Sequence, residues 1–185
     1  MDRINTEFEL RGVNHLALVC SDMKRTVDFY QGVLGMPLIK TIELPNGWGQ
    51  HFFFDVGGGN ALAFFWFRDA PEAVPGITNP ITVPDRGELL SAVASMNHVA
   101  FDVAPEKIEE YRDKLVAKGV DVGLILNHDD SEFGVAGKWT EDVFVRSLYF
   151  KDPDGILVEF AGWTRELDRP SDVRHEPKTA ADRTV

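Results

Sequence analysis

Val13-Asn14-His15-Leu16-Ala17-Leu18-Val19 and Met96-Asn97-His98-Val99-Ala100-Phe101-Asp102 are two versions of one segment. Each is strand-like and carries Asn-His at the same place, and each is followed by a helix signal. Ser21 or Asp22 can cap a helix bearing Val27, Tyr30 and Leu34 that Gly35 stops. Pro105 suits the first turn of a helix bearing Ile108, Tyr111 and Leu115 that Gly119 stops. Further strands follow each helix: Leu38 to Leu44, Gln50 to Val56 and Ala61 to Trp66 in the first half, then Asp121 to Leu126, Phe144 to Phe150 and Ile156 to Ala161 in the second. Turns at Gly57-Gly58-Gly59-Asn60 and Asp152-Pro153-Asp154-Gly155 close the last two strands of each set. The sequence therefore predicts an α+β chain of two tandem βαβββ modules.

The modules are expected at 11–68 and 96–164. An N-terminal extension (1–10), a proline-bearing linker (69–95) and a polar tail (165–185) complete the chain. A length of 185 residues suits two small halves sharing a core. The net charge of −11 argues against nucleic acid or an anionic membrane as a partner. No apolar run approaches the length of a membrane span, and the start lacks the pattern of a signal peptide, so a cytoplasmic protein is expected. Cys20 is the single cysteine and reads as a small core residue.

His15 and His98 occupy matching positions in matching strands, so a pseudo-symmetric pair of modules can turn them toward each other. Glu159 stands in the otherwise apolar strand Ile156-Leu157-Val158-Glu159-Phe160, where an unpaired buried carboxylate is costly and calls for a cation. Two imidazoles and one carboxylate form the facial triad associated with non-haem Fe(II), with Mn(II) as the alternative. Phe52, Phe54, Phe64 and Trp66 are expected to share a face with this site and line an apolar substrate pocket. His128 begins a polar loop and is the expected acid/base group, whereas His51, next to Phe52, should point away.

Asn14-His15-Leu16-Ala17, Thr26-Val27-Asp28-Phe29-Tyr30 with Leu34-Gly35-Met36, Asn97-His98-Val99-Ala100-Phe101, and Tyr149-Phe150-Lys151-Asp152-Pro153-Asp154-Gly155 running into Glu159 together resemble the vicinal oxygen chelate superfamily. The resemblance implies an open, metal-binding mixed β-sheet barrel and a homodimer or higher homo-oligomer. Within that superfamily the Leu148 to Glu159 stretch resembles the signature of type I extradiol dioxygenases in a one-domain form. This implies ring cleavage of a hydrophobic catechol such as 2,3-dihydroxybiphenyl with O2, and a hydrogen bond from Tyr149 to the bound diol. Aligned on the glycine turns, Phe64 falls where Glu159 stands in the second half. Glyoxalases resembling this pattern use a carboxylate there, so hemithioacetal isomerisation is disfavoured. The chain departs from the extradiol pattern upstream of Leu148-Tyr149, where Trp139 to Phe144 contains no histidine. Other metal-dependent chemistry on the same scaffold, an isomerase or a thiol transferase, and non-catalytic sequestration of an aromatic ligand remain as alternatives.

Overall fold

The computed structural model describes residues 12–70, 96–173, 175 and 177–179. The expected extension, nearly all of the linker and the end of the tail lie outside them. Two mixed sheets carry the fold. In the first, β1 (His15–Val19) runs parallel to β4 (Asn60–Phe67), which continues antiparallel to β3 (Gly49–Gly57) and β2 (Leu38–Glu43). The second repeats this plan with β5 (Val99–Asp102), β9 (Leu157–Trp163), β8 (Val145–Lys151) and β6 (Val122–His128), and adds a two-residue edge strand, β7 (Val135–Ala136). The α+β fold of two tandem modules is as expected. The extra edge strand arises in a stretch read as open loop.

Asp22 caps α1 (Met23–Val27) by accepting from the Arg25 amide at 3.0 Å, as its position predicts. The chain then widens into a π-helical turn over Asp28–Val33, which ends before Gly35. In the second module Pro105 opens a 3-10 turn leading into α2 (Ile108–Ala117).

Contacts between the modules run through the helical sides of the two sheets. Tyr30, fully buried, packs its ring 5.7 Å from Phe54 and 4.8 Å from Phe64 and donates its hydroxyl to Asp152 Oδ2 at 3.2 Å. Phe29 lies 6.4 Å from Phe150, and Arg25 pairs with Asp154 at 2.9 Å. Asp152 Oδ1 also accepts from the Asp154 and Ile156 amides, so the second hairpin turn and the first helix share one carboxylate. Burial pushes that carboxyl above its ordinary range. Replacing Tyr30 with Phe removes one hydrogen bond while keeping the packing, and is expected to cost about 0.5–1.5 kcal/mol. A shift in the urea midpoint without a change in m checks it.

Candidate metal centre

Register places the second module's polar cluster. Ala100 on β5 lies beside Glu159 on β9, which lies opposite Tyr149 on β8. His98, two residues before Ala100, shares its face. His98 Nε2 meets Glu159 Oε2 at 2.8 Å, and the His98 ring stands edge-on to Tyr149 at 5.8 Å. Glu159 is 5% exposed. Its burial pushes the carboxyl pKa up, but the His98 hydrogen bond, with the neighbouring Ser147 and Tyr149 hydroxyls, holds it below the ordinary value. The same bond raises His98. Burial, then the Glu159 charge, pushes the Tyr149 phenol well above its ordinary range.

His15, the first residue of β1, is exposed. Its Nδ1 lies 2.8 Å from Asn14 Oδ1, and His98 Nδ1 lies 2.6 Å from Asn97 Oδ1. An amide oxygen only accepts, so each ring donates through Nδ1 and turns Nε2 away from its Asn; His98 Nε2 donates to Glu159, and a bound ion would take the place of that proton. That is the arrangement metal-ligating histidines take when an outer partner fixes the tautomer. The donor set of two oriented imidazoles and a buried carboxylate fits a divalent ion. Replacing Asn14 or Asn97 with Ala is expected to lower metal affinity by about 10- to 100-fold, measured by competition with a chromophoric chelator.

One chain does not bring the three groups together. Among the described residues, no set of three His, Cys, Asp or Glu side chains is close enough to hold one ion. The helical sides of the sheets meet at the module contact, which leaves His15 on one outward face and His98 with Glu159 on another.

Residues 12–160 match the Glyoxalase/Bleomycin resistance protein/Dioxygenase superfamily. The chain belongs to this superfamily. It is 26% identical over 151 residues, 82% of each chain, to the metallothiol transferase FosB of Lysinibacillus sphaericus. It is 29% identical over 168 residues to the putative ring-cleaving dioxygenase MhqO of Bacillus subtilis, covering 86% of this chain and 50% of that one. The fosfomycin resistance protein FosX of Listeria monocytogenes, solved with Mn(II) and sulfate, shares the fold with a TM-score of 0.51, at 20% identity over 84% of this chain and 94% of that one. No helix among the described residues is long and apolar enough to cross a membrane.

Within this superfamily fold the expected aromatic pocket requires correction. His15 pairs with Ala61 and Ala17 with Ala63, so the His15 face of β4 carries Ala61, Ala63 and Phe65. Phe53 and His51 on β3 share that face through their pairing with Ala63 and Phe65. Phe54 and Phe64 are fully buried on the opposite, helical face; Phe52 and Trp66 pack on the same core, and the Trp66 indole donates to Ser21 O at 3.1 Å. The glycine turns of the two modules are not equivalent in register. The first hairpin turns tightly through Gly58 and Gly59, both at positive φ, and a register irregularity between Asp55 and Gly57 absorbs one residue. A one-residue slip exchanges the faces. Ala63, not Phe64, occupies the position matching Glu159, and it too has no metal donor.

His51 therefore points toward the site, contrary to expectation. Its ring stacks on Phe53 at 4.3 Å, and the His15 ring meets the same Phe53 at 5.6 Å. Burial, and then His15, lower its pKa. His128 shares the face of Glu159 but pairs with Val145, which pairs with Trp163. Four residues along a strand is about 13 Å, too far for direct proton transfer at the ligand cluster. The faces of His51 and Phe53 are set by the pairing of β3 with β4 and its irregularity beside Gly57, which strand alternation alone does not reveal.

Proposed function

We propose that the chain is a non-haem Fe(II)-dependent extradiol ring-cleavage dioxygenase acting on a hydrophobic catechol such as 2,3-dihydroxybiphenyl. In this reading a homodimer builds each metal site from His98 and Glu159 of one subunit and His15 of the other. The observation that carries it is the Tyr149, Glu159 and His98 cluster: a buried anionic carboxylate, an oriented imidazole and a phenol held protonated, all on one face. His15 is separated from that cluster in one chain, and the pseudo-symmetry of the modules gives a second copy the means to supply it.

A bound Fe(II) supplies Lewis acidity toward the two diol oxygens and the redox capacity that O2 activation requires. The protein's own parts do the rest. Tyr149, with its raised pKa, remains a hydrogen-bond donor to a diol oxygen. Phe53 and Phe65 give the ring an apolar wall from the facing module. The ring bond beside the diol breaks and both atoms of O2 enter the product, so no external reductant is consumed.

Anaerobic reconstitution with Fe(II), followed by 2,3-dihydroxybiphenyl and O2, tests it. A yellow ring-fission product with matching O2 uptake is expected. Absence of both across several catechols rejects the reading. Similarity to FosB favours a second one, metal-dependent thiol transfer on the same ligands. Metal-dependent thiol consumption would select it.

A further inference from the structure

Among the described residues three buried side-chain polar atoms lack a hydrogen-bond partner: His51 Nε2, Ser147 Oγ and Arg165 Nε. The first two hold equivalent places. His51 pairs with Phe65, two residues beyond Ala63, as Ser147 pairs with Ala161, two beyond Glu159. Both therefore stand on the ligand-bearing face, one diagonal step from the position that carries Glu159 in one module and Ala63 in the other. Ser147 is close enough to Glu159 to help hold its carboxyl pKa down, yet makes no hydrogen bond of good geometry.

His51 is 8% exposed, with the rings of Phe53 and Phe65 against it at 4.3 and 3.5 Å. An enclosed ring nitrogen without a partner is costly unless something arrives to satisfy it. The nearest oriented donor, His15, lies across Phe53 from it. A planar ligand chelated beside His15 must cross the Phe53 ring to reach His51.

We propose that His51 Nε2 is a substrate-positioning group that hydrogen-bonds a polar substituent lying beyond the chelating pair of oxygens, with Phe53 as the stacking platform between. The substrate class is then an aromatic vicinal diol carrying a further hydrogen-bonding group on the ring or its side chain. This deepens the proposed function and rests on it.

The test compares two probes differing by one hydroxyl, 4-ethylcatechol and 4-(2-hydroxyethyl)catechol, titrated anaerobically into Fe(II)-loaded protein by calorimetry. The wild type is expected to prefer the hydroxyethyl probe by about threefold to tenfold, the range one neutral hydrogen bond supports. His51→Phe should abolish the preference while keeping or raising the thermal midpoint, because it removes an unsatisfied buried atom. His51→Asn should retain part of the preference. A purely structural His51 predicts the opposite pattern, a lowered midpoint and an unchanged preference, and that result overturns the assignment. Equal wild-type affinity for the two probes also overturns it and leaves the diol reading standing. Failure of the metal-loaded wild type to bind either probe overturns both.

Discussion

Replacing Glu159 with Gln should lower the affinity for Fe(II) by more than about 100-fold, beyond the range typical of outer partners, while the fold persists. The substitution keeps shape and hydrogen bonding but removes the charge that makes the pair of imidazoles a site for a dication. Glu159 is 5% exposed and already bonded by His98 at 2.8 Å. Its carboxylate is thus placed and ionised without any ion to hold it there. His98→Ala should match that loss. Chelator competition reads the affinity and circular dichroism the fold. Unchanged affinity in either variant would remove these residues from the ligand set.

Phe64→Ala is expected to destabilise the protein by about 3–5 kcal/mol, the range for deleting a fully buried aromatic. Phe64 has no exposed surface and lies 4.8 Å from the Tyr30 ring, at the centre of the packing that joins the two modules. Phe53, half-buried on the opposite face, should cost much less when truncated, yet should weaken catechol binding. Urea denaturation of the two variants, with probe titration of Phe53→Ala, separates the core face from the site face. A small loss of stability in Phe64→Ala would reverse the assignment of faces made from register.

The repeat of Asn-His at His15 and His98 was legible because it needs only self-similarity, and from it the element order of both modules followed. Glu159 was legible because a carboxylate amid Leu157, Val158 and Phe160 demands a reason. The wall aromatics were not. Face assignment in a strand depends on a period of two, and the irregularity beside Gly57 shifts the count by one, so Phe64 reads as a wall residue although Phe53 takes that place. His51 was hidden by the same slip. Sequence also could not say that the modules meet through their helical sides, since this depends on Tyr30 and Phe29 finding Asp152 and Phe150 across the molecule. The separation of His15 from its partners follows from that packing.

Subunit complementation is the most direct test of a metal site shared between copies. His15→Ala and His98→Ala, each inactive alone, are unfolded together and refolded as a mixture. With random pairing, half of the dimers are mixed, and each mixed dimer carries one intact site and one doubly defective site. Recovery of about one quarter of the wild-type Fe(II) sites and ring-cleavage rate is predicted. A mixture with no more bound iron and no more activity than its separate components would contradict the account.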